Sequence, residues 1–226
     1  MKKLIALVIA LMLFTVPALA EDTDFIAALE WMHDDVPALA EDTLTYTHPT
    51  HGYSLEYPAA WLAVDATNID QYIELFNNNE ISFTGTNAPT LTNMKDQIVG
   101  QDIVVLVDPH ANNLLVVCAD MGMELTNEMF QMVMVPMVVE SVKAQAPGIE
   151  ITADGTIQEM GDRSFIAVGG NVNISGIPAE IMQMYYLEGT MMYCFTVTLT
   201  GAFGAEAAEQ FAMEAAEVMF SFTTGK

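Results

Sequence analysis

From about residue 43 onward, apolar positions come in short runs broken by Gly, Pro and Asx residues, the pattern of strands and turns. Residues 44–47, 53–57 and 62–64 read as short strands, punctuated by Pro49, Gly52 and Pro58. Thr67-Asn-Ile-Asp70 resembles a capping box opening a helix to about residue 77, and residues 90–99 read as another helix. Residues 103–107 and 114–119 pair as a predicted hairpin, turned by Asp108-Pro-His-Ala-Asn-Asn113. A long helix is predicted over residues 127–145, closed by Pro147-Gly148. Pro136 is expected to kink it, because proline lacks the amide donor for the preceding turn. Residues 149–153 read as a strand and Asp154-Gly155 as a turn.

Residues 165–174, 179–187 and 191–200 read as three strands joined by tight turns. In the last, Tyr193, Phe195, Val197 and Leu199 share one face. Residues 204–220 form an amphipathic helix. Glu206, Glu209, Glu214 and Glu217 lie on one side, with Ala208, Phe211, Ala215, Val218 and Met219 roughly opposite. Such tight turns require antiparallel neighbours, since parallel strands need long crossovers. The predicted class is α+β, a central antiparallel sheet flanked by helices. Trp61 is expected to be buried, since it follows the Tyr57-Pro58 turn and offers a large apolar area.

The helix around Pro136 is apolar around most of its circumference: Met129, Phe130, Met132, Val133, Met134, Val135, Met137, Val138 and Val139. A sheet covers one side only, so something must cover the other. Residues 21–42 carry Phe25, Leu29, Trp31 and Met32 and are expected to do so, with a neighbouring helix or a partner chain as the alternatives.

The start of the chain bears on where it works. Met1-Lys2-Lys3, an apolar run from Leu4 to Val16, and Pro17-Ala18-Leu19-Ala20 follow the order of a secretory signal peptide. The apolar run is shorter than the roughly 20 residues of a membrane span. Cleavage is expected after Ala20, giving an extracytoplasmic protein: secreted, periplasmic or held in the cell envelope. Val16-Pro-Ala-Leu-Ala-Glu-Asp-Thr23 recurs as Val36-Pro-Ala-Leu-Ala-Glu-Asp-Thr43. The second copy lacks a preceding apolar run. Residues 21–42 read as a loosely docked segment with a short helix from Thr23 to Met32, residues 43–222 as one domain, and residues 223–226 as a tail. No cysteine lies near Ala20, so no membrane anchor is expected after cleavage.

Loss of Lys2 and Lys3 leaves Lys95, Lys143, Arg163 and Lys226 against 30 acids, a net charge of −26. Nucleic acid is excluded as a partner, because phosphates need Lys and Arg to neutralise them. Basic proteins and cationic ligands are favoured, and the charge opposes self-association, so a monomer is expected. Cys118 and Cys194 both lie in strand-like runs. They are open to a disulfide or to burial as free thiols.

His51-Gly-Tyr-Ser-Leu-Glu-Tyr-Pro-Ala-Ala-Trp61 resembles the opening of the PsbP-like family: a glycine, an aromatic strand, then Tyr-Pro-x-x-Trp. The hairpin at 103–119, Gly161-Asp-Arg163 before a strand meander, and a last helix ending Val-Met-Phe-Ser-Phe222 fit the same plan. The likeness covers about residues 43–222. It implies a central antiparallel sheet flanked by helices, as in extrinsic photosystem subunits and bacterial secreted domains and lipoproteins. Bacterial relatives commonly carry a lipid-anchoring cysteine, which this chain lacks.

Catalytic motifs are sparse. Ser54 follows Gly52, but Glu56 stands where a nucleophile elbow needs glycine. Neither Cys118 nor Cys194 has a nucleophile signature around it. His48-Pro-Thr-His51 is a metal-like pair, with His33 and His110 elsewhere; a zinc site needs three or four convergent ligands. Asp108, Asn112 and Asn113 offer oxygens to calcium, but without a twelve-residue calcium loop they read as an Asx-rich turn. Met121/Met123 and Met182/Met184 have strand-face spacing that suits copper(I), although methionine more commonly fills cores. No phosphate loop or dinucleotide fingerprint is present, and no cofactor is expected. His48, His51, Asp108 and His110 are thus the metal candidates, and no catalytic residue is assigned. The leading expectation is a non-catalytic PsbP-like domain that binds or assembles with another extracytoplasmic component. An extracytoplasmic hydrolase with a dispersed site, and an acidic cation-binding protein, are the alternatives.

Overall fold

The computed structural model describes residues 42–71, 73, 95–96, 98–108, 110, 112–174, 177–200 and 205–225. Strands β1 (Thr43–Thr47) and β2 (Ser54–Pro58) form an antiparallel hairpin. A seven-stranded antiparallel sheet holds the rest: β3 (Leu62–Val64), β4 (Val104–Val107), β5 (Asn113–Asp120), β6 (Glu150–Met160), β7 (Arg163–Ile174), β8 (Ile177–Glu188) and β9 (Met191–Thr200). Their spatial order is β3-β4-β5-β9-β8-β7-β6. Helix α1 (Asn127–Gln145) covers one face, and helix α2 (Ala205–Ser221) together with the β1–β2 hairpin covers the other. The α+β class is as expected.

Two covered faces explain the unbroken apolar runs of β4 and β5. Val104, Leu106, Leu114 and Val116 point to the α2 side; Val105, Leu115 and Val117 point to the α1 side. Tyr193, Phe195, Val197 and Leu199 all face α2, as their alternation predicted. Trp61 is buried, stacked on Phe211 at 4.7 Å, and its indole N–H donates to Glu214 Oε2 at 3.0 Å. An indole is stable in a core when its N–H finds such an acceptor.

Cys118 and Cys194 are buried free thiols. Strand parity keeps them apart. Cys118 pairs with Tyr193 and Cys194 with Val117, so the two sulfurs point to opposite faces of the sheet.

Two local readings change. Asp154-Gly155 is no turn: β6 runs through it, with register shifts at Ile151/Ala153 and Asp154/Thr156. Gly155 takes the extra residue at φ 99° beneath Val135 of α1, a bulge that only glycine makes easily. The sheet meander therefore has four strands. The capping box sits two residues earlier than Thr67. Asp65 Oδ1 accepts from Thr67 N at 2.8 Å, and Asn68 Oδ1 accepts from Asp65 N at 2.9 Å. Thr67 donates its hydroxyl to Asp65 at 2.6 Å, so it serves the cap without being the cap. Pro136 lies inside α1 without ending it. It stands on the exposed side, where water can take the carbonyl bond that proline leaves open.

Residues 1–41, with the signal peptide, the repeat and the short helix, lie outside the described residues, as do residues 74–94. The chain stays paired past residue 222: Ser54 and Thr223 exchange two backbone bonds of 2.9 Å.

Candidate functional site

The loop between β1 and β2 places His48 inside the domain and His51 at its surface. His48 is 1% exposed. Its Nδ1 accepts from Thr50 N at 3.3 Å and His51 N at 3.2 Å. Nε2 then carries the proton and donates to the Asp102 carbonyl at 3.1 Å. The ring lies 4.8 Å from Tyr53 and 4.9 Å from His51, centroid to centroid.

Asp102 completes the cluster, and no spacing in the sequence marks it, since it lies 54 positions from His48. It follows the helical residues 98–101, where Ile103 N bonds back to Ile98 O at 3.2 Å. That closure requires a left-handed residue, and Asp102 takes it at φ 57°. Aspartate tolerates this better than most side chains. Its carboxylate stands 3.6 Å from His48 Nε2 and 3.4 Å from His51 Nε2. Beside it, Tyr46 donates to Asp65 Oδ2 at 2.9 Å.

Burial sets the electrostatics. It holds the His48 pKa below the usual imidazole value, against the pull of Asp102. Burial raises Tyr53, whose phenol oxygen is buried without a hydrogen bond among the described residues. Burial also works upward on Asp65, but hydrogen bonds from Thr67, Tyr46 and the backbone outweigh it and lower that carboxyl.

The ligand atoms of His48, His51 and Asp102 lie within 4.8 Å of one another, a three-residue cluster able in outline to hold a metal. The hydrogen bonds of His48 oppose that use. A metal at Nε2 requires the ring proton to move to Nδ1. There it would face two backbone N–H donors and no acceptor. His48 is built as the buried brace of the hairpin, which leaves His51 and Asp102 as two ligands.

Asp108 and His110 form a separate turn between β4 and β5. The Asp108 carboxylate accepts from His110 N, Asn112 N and Asn112 Nδ2 at 2.8–3.0 Å. Burial raises its pKa. These bonds close an Asx turn with the oxygens already engaged. Ser54 Oγ bonds Thr223 Oγ1 at 2.6 Å and helps strap the C-terminus to β2. Burial pushes both Cys118 and Cys194 up to about 12, which keeps each thiol protonated and unreactive. Met182 and Met184 are core residues on the α2 side. Met121 and Met123 follow β5 around Gly122, so they do not share a strand face. His33 lies outside the described residues.

The strongest surface feature is on α1. Phe130, Met134, Val135, Val138 and Val142 face the sheet. Met129, Met132, Val133 and Met137 are 42, 77, 57 and 40% exposed among the described residues. They recur at three- and four-residue steps, so they form one stripe along the helix. Together they expose on the order of 400 Å² of apolar surface, the size of the largest patch on a typical monomer, which is often functional. Exposed Glu124, Glu128 and Glu140 flank it.

No family model matches the chain, and no curated protein matches it. Solved structures with similar folds include a cyanobacterial PsbP from Synechocystis, at 14% identity and a TM-score of 0.49, covering 84% of this chain and 98% of that one. A Bacteroides thetaiotaomicron protein is similar at 10% identity and a TM-score of 0.46, over 83% of this chain and 50% of its own. LpqN of Mycobacterium tuberculosis, described as involved in cell envelope biogenesis, is similar at 12% identity and a TM-score of 0.39, over 80% of this chain and 91% of its own. Among the described residues, no helix is long and apolar enough to cross a membrane.

Proposed function

We propose that this chain is an extracytoplasmic, non-catalytic PsbP-like domain that assembles with another extracytoplasmic protein, docked on the exposed stripe of α1. The stripe is the observation that carries the reading. The bonded Ser54 and the protonated cysteines favour binding over nucleophilic catalysis.

Charge selects the partner. Residues 21–42 hold Glu21, Asp22, Asp24, Glu30, Asp34, Asp35, Glu41 and Asp42, with no Lys or Arg. Exposed Glu124 and Glu128 beside the stripe repel that segment and a second copy of the chain alike, whereas Glu140 is paired with Lys143 at 3.3 Å and adds little. A partner with an apolar centre and a Lys/Arg rim meets attraction instead. On this charge argument another protein is the favoured occupant over the chain's own N-terminal segment.

Chains beginning at residue 21 and at residue 43 test this. Both should bind a hydrophobic dye equally and sediment as monomers, and Met132→Glu should reduce the dye signal in both. A dye-negative chain from residue 21 that turns dye-positive on truncation would give the face to residues 21–42 and end the reading.

A further inference from the structure

We propose that the α1 stripe is a modification site for hydroperoxides, which convert its methionines to sulfoxides and erase the apolar face. The inference rests on the docking role of that face. Three of its four side chains are methionines: Met129, Met132 and Met137. The composition is selective by position. Met134, one turn from Met137, is 8% exposed, and Met182, Met184 and Met219 are 0% exposed. A hydroperoxide in water therefore reaches the stripe thioethers and not the core ones.

The step balances simply. A lone pair on Sδ attacks one oxygen of hydrogen peroxide. The O–O bond breaks, the S–O bond forms, and the departing hydroxide takes the displaced proton and leaves as water. Sulfur loses two electrons and the peroxide gains them. Each thioether becomes a polar sulfoxide. Three such changes along one stripe replace an apolar docking face by a hydrated one. The core of α1 is spared, because Phe130, Val135, Val138 and Val142 carry no thioether and Met134, the one that does, is only 8% exposed. The fold should survive while the face is lost.

The test uses the chain from residue 21 and hydrogen peroxide, with peptide mass mapping over time. Met132 should gain one oxygen at least about tenfold faster than Met134 or Met182, as exposure governs susceptibility. Dye binding should fall as Met129, Met132 and Met137 convert, with the melting transition unchanged. A variant with these three replaced by leucine should keep its dye signal under peroxide. Equal rates at Met132 and Met182 would overturn the proposal, as would an oxidised stripe that binds dye as before. These readouts need no partner. A protein that oxidises as described yet docks nothing would defeat the docking reading alone.

Discussion

Acid should loosen this domain through His48 in particular. The buried ring is held neutral by burial and by two N–H groups aimed at Nδ1. Its folded pKa is depressed below an unfolded value of about 6.5. Above that pH both states carry a neutral ring, and the group adds no pH dependence. Below it the unfolded chain binds a proton that the native ring refuses, so stability falls as pH falls toward the folded pKa. The slope approaches about 1.4 kcal/mol per pH unit. While the folded ring stays neutral, the loss at pH 5.5 is therefore about 1.4 kcal/mol. His48→Gln removes this titration. It should cost about 1–2 kcal/mol at pH 7.5 by weakening the hairpin brace. Urea unfolding of both proteins at pH 7.5, 6.5 and 5.5 separates His48 from the carboxylates, which are common to both. The native protein should lose more than His48→Gln over that range, by up to about 1.4 kcal/mol where the folded ring stays neutral throughout. Parallel losses, or a His48 resonance titrating at or above pH 6.5, would refute the reasoning.

Three further outcomes follow from the same contacts and from the leader-like start. Gly170→Ala should cost more than about 3 kcal/mol, or prevent folding, because its Cβ would meet the Glu150 carbonyl of the neighbouring strand; thermal unfolding within about 2 °C of the parent would contradict that packing. Calorimetry should find zinc binding no tighter than about 10 μM, since His48 is committed to the backbone; submicromolar affinity that His51→Ala abolishes would reverse this. Intact mass of the exported protein should correspond to a chain starting at Glu21; a start at Glu41 would make the second copy of the repeat the processing site.

Much of the fold was legible because both sheet faces impose simple periods. The run from Met191 to Thr200 shows which residues face α2 by alternation alone. The 127–145 helix was legible from its apolar run and the Pro147-Gly148 stop, whereas its N-cap, Thr126, was supplied by the structure. The β6 bulge was not, because Asp-Gly is also a turn pair. Only Val135 packed over Gly155 decides for the bulge. The site was half legible. His48 and His51 stand three positions apart, but Asp102 joins them by a helix end that folds back from 54 positions away. Spacing cannot report such a meeting. Nor does the sequence distinguish a brace from a ligand, because that depends on what faces Nδ1. The α1 stripe was foreseen as an apolar surface needing cover. Which of its side chains stay exposed, Met129, Met132, Val133 and Met137, became visible only once Phe130, Met134, Val135, Val138 and Val142 took the sheet-facing side.

Site-specific photocrosslinking tests the docking role most directly. A photoreactive residue replaces Met132 in the exported chain within the producing cells, with exposed Thr45 on the hairpin as the control position. One discrete product is expected at position 132, joined to a basic second protein and absent at position 45. The product should disappear when envelopes are irradiated in about 1 M salt, where the Debye length falls to about 3 Å. A crosslink within the chain to residues 21–42, a homodimer, or the same products at both positions would contradict it.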